Sequence, residues 1–230
     1  MTVTPPVAPL AALARRPAAD PVLSWPDGML SAGALRASIA ALTERAAAVG
    51  PGQGPLAIIS ADRIQLLAGV LAGLSRGRPV MPLDPARPDI DACLAAMGAG
   101  VVLDLDRAGA DDRLTGMARQ DLPAGPGGPG AELWLPTSGT TGPARIARLP
   151  TAALDAHVAA SAAVLPPLGR GDRWLVCIPM HTIGALAATW RALHAGASLA
   201  LLPRFDATTA RQLMAAGATH VSVVPAMLGP

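Results

Sequence analysis

The sequence predicts an α/β fold: a mostly parallel sheet with helices on both faces. Three observations point to it. Short apolar, β-like runs alternate along the chain with segments of helical period, the pattern of successive βαβ units. Hydrophobic residues make up 51% of the chain but aromatics only 2%, so Ala, Leu and Val must fill the core, as they do where helices cover a parallel sheet. The length, 230 residues, allows one large α/β domain or two small ones with a sizeable core.

Taken in order, the elements follow from local chemistry. Ser31 is a good N-cap, and Leu35, Ile39 and Leu42 recur at helical spacing, predicting a helix to Val49. Pro51-Gly52-Gln53-Gly54 reads as a turn, and PLAIIS (55–60) as a short buried strand. Asp62 caps a second helix running through Leu74; RPVMPL (78–83) is the next strand. A helix near Pro88–Met97 leads into VVLDLD (101–106). Strands at 132–136 and 146–149 come next, then a helix from Thr151 to about Leu165 and a strand at 174–178. A helix after Ile183, a strand at 197–202, a helix from Ala207 to about Ala216 and a strand at 220–224 complete the series. This divides the chain into a first βαβ-type subdomain (1–120), a Pro/Gly linker (121–131) and a second subdomain (132–230).

Composition excludes several functions. All 18 basic residues are Arg, and with no Lys there is neither a Schiff-base lysine nor a conventional Walker P-loop. Net charge is +2 and the Arg residues are scattered, which argues against a nucleic-acid partner, as does the near absence of stacking aromatics. Cys93, Cys177 and the four His make no metal-ligand spacing, so no metal site is predicted, and two isolated cysteines suit a reducing, cytoplasmic setting. The N-terminus has no basic region ahead of an apolar stretch, so no signal peptide is expected. Trp174–Trp190 is uncharged, but Pro179, His181 and Gly184 interrupt it; a buried strand, a turn and a helix start fit better than a membrane span. Gly125, Gly127 and Gly130 formally satisfy GxGxxG, yet they precede a strand and sit among prolines, so linker is the reading. No GxSxG occurs, which disfavours a serine hydrolase.

The informative stretch is LWLPTSGTTGPARIARLP (133–150). Thr137, Ser138, Gly139, Thr140, Thr141 and Gly142 place four hydroxyls and two glycines between two β-segments. Glycine lets backbone come close to a ligand, consecutive N–H groups make an anion-binding nest, and Arg145 adds a planar cationic fork. An ordinary Ser/Thr-rich turn is the alternative; six such residues followed by Pro and a cation favour a phosphate cradle without a Walker lysine.

TSGTTGPAR resembles the phosphate-loop signature of the adenylate-forming (ANL) superfamily, which includes acyl- and aryl-CoA ligases, adenylation domains of peptide synthetases and luciferases. The family pattern ends Gly-x-Pro-Lys; here Pro143 is displaced by one position and Arg145 stands where the Lys would be. LARRPAADPVLSWPDG…LSAGALRASIAALTERAAAVGPGQGPLAIIS resembles the family's opening strand, helix and following strand, and GRPVMPLDPARP the segment carrying its "G…vPLdP". GDRWLVCIPMHTIGALAATWRALHAGASLALLPRFDA and GATHVSVVPAML look most like the o-succinylbenzoate–CoA ligase branch.

The resemblance implies the N-terminal subdomains of such an enzyme, truncated relative to it. Its reaction activates a carboxylic acid with ATP and Mg²⁺ as an acyl-adenylate, then transfers the acyl group to CoA. Residues 137–142 would wrap the β- and γ-phosphates, and Arg145 would act catalytically by neutralising charge that leaves with pyrophosphate. In that branch a His near Pro-Met-(aromatic)-His-x-Gly-Gly borders the acid substrate. Here His181 falls at the aromatic position, Thr182 at the His, Gly184 at the first Gly and Ala185 at the second, so His181, Thr182 and Gly184 are the substrate-side candidates. The family's Mg²⁺-serving Glu, ribose-binding Asp and catalytic Lys would fall beyond Pro230. Expected partners are therefore a small carboxylic acid and ATP, with either self-association or a chain supplying the C-terminal part. The alternative function is a non-catalytic nucleotide- or phosphate-binding module, or one subunit of a split ligase.

Overall fold

The computed structural model describes residues 7–50, 54–98, 100–107, 113–115 (backbone alone), 131–137 and 145–228. The expected linker at 121–131 falls almost wholly outside them. The chain forms two compact units, Met1–Val7 with Ser38–Thr151 and Ala8–Ala37 with Ala152–Pro230. It passes between them after Val7, again inside α2 (Ala32–Val49) and a third time at the start of α5 (Thr151–Ala162).

The first unit holds a six-stranded sheet in the order β6-β5-β3-β4-β7-β8. Its strands are β3 (Leu56–Ile59), β4 (Val80–Leu83), β5 (Gly100–Asp104), β6 (Arg113–Thr115), β7 (Glu132–Thr137) and β8 (Arg145–Pro150). β3 pairs in parallel with β4 and β5, and β4 with β7; β6 and β8 are antiparallel edges. Because β7 is bonded to β4, residues 132–150 belong to this sheet rather than to one with the later strands. β3 and β4 are buried on both faces, which is why they read as unbroken apolar runs.

Helices cover both faces of that sheet, as the sequence predicts. α4 (Ile90–Met97) packs Cys93, Leu94 and Met97 against Ala57, Ile59, Met81 and Leu83. α3 (Arg63–Ser75) takes the opposite face and comes unusually close. A Cβ at Gly69 would lie 2.7 Å from Ile58 Cγ2, and one at Gly73 would overlap Val80. Only glycine at both positions allows this approach, and their four-residue spacing places both on one helix face. Asp62 caps α3 as expected, accepting from the backbone N–H groups of Ile64 and Gln65 at 2.7 and 3.0 Å. Ser31 accepts from the Ala34 N–H at the start of α2.

The second unit holds a five-stranded sheet in the order β11-β9-β10-β1-β2. Here β1 (Pro21–Trp25) and β2 (Gly28–Ser31) form a hairpin, and β1 pairs in parallel with β10 (Ser198–Leu201). β10 pairs in parallel with β9 (Arg173–Val176), and β9 with β11 (His220–Ser222). α7 (Ala207–Ala215) and Phe205 cover Leu175 and Ala200 on one face. α6 (Ile183–Ala195) takes the other, where Arg191 lies over the Trp174 ring, and packs beside α1 (Ala8–Arg15).

The α/β, mostly parallel expectation thus holds, with two sheets in place of one. The uncharged run 174–190 is a strand, a turn and a helix start, and no helix among the described residues is long and apolar enough to cross a membrane. α5 stops at Ala162, short of the expected Leu165: two prolines follow Leu165, and the residue before a proline is pushed out of the helical region.

Candidate functional site

β7 leaves the sheet at the C-terminal ends of the parallel strands β3, β4 and β7, the edge on which open α/β sheets bind their ligands. It returns as β8. The residues between them, Ser138, Gly139, Thr140, Thr141 and Gly142 among them, lie outside the described residues. Their two anchors are described. Thr137 and Arg145 are partners across the hairpin, both exposed, and the Thr137 hydroxyl donates to the Arg145 carbonyl at 3.2 Å. The structure therefore brings the first and last of the sequence-predicted residues together, with seven residues spanning the gap. Arg145 is exposed as a residue, with its carbonyl engaged in the hairpin.

Behind this pair the hairpin carries a polar cluster that sequence reasoning did not find. Trp134 faces Arg148 across the strands, and the Arg148 guanidinium carbon sits 4.5 Å from the centre of the indole ring. One carboxylate oxygen of Glu132 accepts three bonds: from Trp134 Nε1 at 2.7 Å, and from Arg148 Nε and Nη2 at 3.1 and 3.0 Å. The Glu132 side chain is only 10% exposed, so this charge depends on those donors. Once the hairpin is known, the strand period accounts for the cluster: Glu132 and Trp134 are two apart and share a strand face, while Arg148 lies as far beyond the connection as Trp134 lies before it.

In the second unit, His181, Thr182 and Gly184 meet at the start of α6. Thr182 is its N-cap: the hydroxyl donates to the Pro179 carbonyl at 2.7 Å and accepts from the Ala185 N–H at 3.4 Å. A Cβ at Gly184 would lie 2.7 Å from Ile178 Cδ1, so the first turn of the helix sits against the segment leading into it. His181 is half-buried.

No group of three His, Cys, Asp or Glu side chains among the described residues could hold a metal ion. Cys93 is buried in the core of the first unit, and that burial pushes its thiol up, away from the reactive thiolate.

Comparison with known proteins fits this arrangement. The AMP-binding enzyme family model matches residues 132–229. The 2-succinylbenzoate–CoA ligase of Salmonella typhimurium is 31% identical over 224 residues, covering 90% of this chain and 46% of that protein. The chain thus spans about half the length of the curated relatives it matches. Among solved structures, the inhibitor-bound N-terminal domain of FACL13 from Mycobacterium tuberculosis superposes with a TM-score of 0.77 at 21% identity, covering 96% of this chain and 63% of that one. The o-succinylbenzoate CoA synthetase of Bacillus subtilis superposes over 97% of this chain in two complexes. With its acyl-adenylate intermediate the TM-score is 0.75 at 20% identity, covering 63% of that chain. With ATP and magnesium ion it is 0.74 at 19% identity, covering 50%.

Proposed function

This chain belongs to the AMP-binding (adenylate-forming) enzyme family, and on that premise we propose that it is the N-terminal portion of an AMP-forming acid–CoA ligase, supplying the site that grips the polyphosphate of ATP. The observation that carries the reading is the hairpin. Thr137 and Arg145 stand in register at the C-terminal edge of a parallel sheet, at the two ends of the stretch Ser138–Ala144.

The chemistry asked of these residues is electrostatic. The carboxylate of an acid attacks the α-phosphorus of ATP, the bond to the bridging oxygen breaks, and pyrophosphate leaves with the negative charge. Thr137 and the backbone and hydroxyl donors of residues 138–142 hold the β- and γ-phosphates. Arg145, always protonated, neutralises the charge that develops on the leaving group. Neither group forms a bond to substrate; they position and stabilise. Magnesium, when bound, offsets part of the same charge. His181 and Gly184 are proposed to lie on the acid side, with Thr182 orienting them as the cap of α6. CoA would take the acyl group in the second step, with groups supplied outside these 230 residues.

A thermal melt of the purified chain with and without millimolar MgATP tests the proposal. A ligand at 100 times its Kd stabilises the folded state by about 2.7 kcal/mol, a shift of several degrees. We expect that shift in the wild type and its loss in Arg145→Ala. A cooperative melt that MgATP does not move would sink the phosphate reading.

The same residues also suit a second reading, a nucleotide-binding module or one half of a split ligase. Pyrophosphate release separates the two. Release by the chain with ATP and o-succinylbenzoate supports acid activation, the ligase's first half-reaction, and MgATP stabilisation without release supports the module.

A further inference from the structure

We infer that Glu132, Trp134 and Arg148 form a clasp that sets the register of the β7–β8 hairpin and so positions Thr137 and Arg145 as the two ends of the phosphate-binding stretch; this rests on the function proposed above. All three are positioning residues, and none need touch the nucleotide.

The need for such a device follows from where β8 lies. Among the described residues it is the outermost strand of its sheet, with no strand paired on its far side. None of its residues is buried, three being exposed and three half-exposed, and Ile146 is the hydrophobic side chain it packs against the buried cluster that holds Trp134. A strand with so little apolar anchoring specifies its register weakly. β7 by contrast is fixed, with Leu133 and Trp134 buried and Leu133 opposite Val80 of β4. Sliding therefore means β8 moving along β7.

A one-residue slip would turn Ile146 and Arg148 to the wrong faces. A two-residue slip keeps the faces but places Ala147 opposite Thr137 and draws Arg145 back into the connecting stretch. It would also carry Arg148 away from Trp134, strip two donors from the nearly buried Glu132 oxygen, and unstack the guanidinium from the indole. The observed register is the one in which all of these contacts are made together. Arginine suits the role because one planar fork can stack on a ring and give two bonds to a carboxylate at once, which an ammonium group cannot.

The test uses the full chain, MgATP as the probe, and Arg148→Met, Arg148→Lys and Glu132→Gln, singly and with Glu132→Gln combined with Arg148→Met. Backbone hydrogen exchange over 132–150 without ligand reads the register; MgATP affinity reads its use. Arg148→Met should speed exchange across both strands and weaken MgATP binding by about tenfold, equivalent to about 1.4 kcal/mol. The double variant should be no worse than the more damaging single, since both break one unit. Arg148→Lys should not restore affinity, and it provides the comparison should the Met variant fail to fold. A control, Asp62→Ala, lowers stability from outside the hairpin and should leave affinity unchanged. Unchanged exchange over 132–150 in Arg148→Met overturns the clasp. Faster exchange with wild-type MgATP affinity overturns its positioning role. Faster exchange in a chain whose wild type ignores MgATP refutes the phosphate reading instead, and with it the use of the clasp, leaving only the register device.

Discussion

Replacing Gly69 with Ala sets two known effects against each other. Glycine in a helix interior is about 1 kcal/mol less favourable than alanine, so on propensity alone the change should stabilise α3. The structure argues the other way. The added Cβ would lie 2.7 Å from Ile58 Cγ2 and 3.2 Å from both Cδ1 and Cγ1, whereas carbon atoms rest at about 3.5–4.0 Å. Ile58 is fully buried in a central strand, and its branched side chain is stiff at χ1, so helix and sheet must part instead. Overpacking of this kind costs about 1–3 kcal/mol, leaving a net loss of roughly 1 kcal/mol. Gly184→Ala is the matched contrast. It too sits in a helix, but its Cβ would meet only the terminal methyl of Ile178, a half-buried side chain that can turn aside. That variant should be neutral or stabilised. Urea unfolding followed by hydrogen exchange of peptides from each compact unit reads the two changes separately. If Gly69→Ala stabilises its unit as much as Gly184→Ala does its own, the close approach of α3 to β3 has been misjudged.

Two further outcomes follow from capping. Asp62→Ala should destabilise the first unit by about 1 kcal/mol in the same assay, and Asp62→Ser should recover most of it; an unchanged midpoint in Asp62→Ala would mean that the two cap bonds contribute nothing. Asp206 caps α7, accepting from both the hydroxyl and the backbone N–H of Thr209 at 2.7 Å, and these bonds hold its carboxyl below the usual carboxylate range. A depressed folded-state pKa means that its stabilisation is complete above about pH 4 and is lost as pH falls through the folded value. Urea midpoints of the second unit measured from pH 6 down to pH 3 should therefore fall less steeply at the acid end in Asp206→Asn, and identical slopes would count against the cap.

The elements that could be read from sequence are those whose signal is local. β3, β4 and β5 are apolar runs bounded by turns, and α3 announces itself with a capping Asp and a long apolar face. The first hairpin was legible in principle, since Pro26-Asp27-Gly28 is a turn signal between Trp25 and Met29, yet PVLSW is too short to declare its partner. What sequence could not reach is which strands pair. One alternating series becomes two sheets because β1 joins β10 and β7 joins β4, and those choices are made by packing across long chain separations. The site divides the same way. Thr137 and Arg145 were legible because polyphosphate chemistry demands a recognisable cluster of residue types. Glu132 and Arg148 were not, because an acid and a base sixteen residues apart mean something only once a hairpin sets them side by side.

The interleaving of the two units puts the fold on a clock during synthesis. The first unit draws its six described strands from one continuous stretch, β3 to β8, and can close when Pro150 has emerged. The second cannot. The Ser24 hydroxyl donates to the Leu199 carbonyl 175 residues later, so β1 meets its parallel neighbour only after most of the chain exists. At about 5–20 residues per second, that interval is roughly 10 to 35 s. Throughout it, β1 and β2 form at most an isolated hairpin, which is marginally stable in water, with the apolar side chains of Val22 and Leu23 uncovered. The nascent chain thus spends its most sticky interval with its opening strands waiting, which makes the pace of translation and the company of a chaperone part of how this sequence reaches its structure.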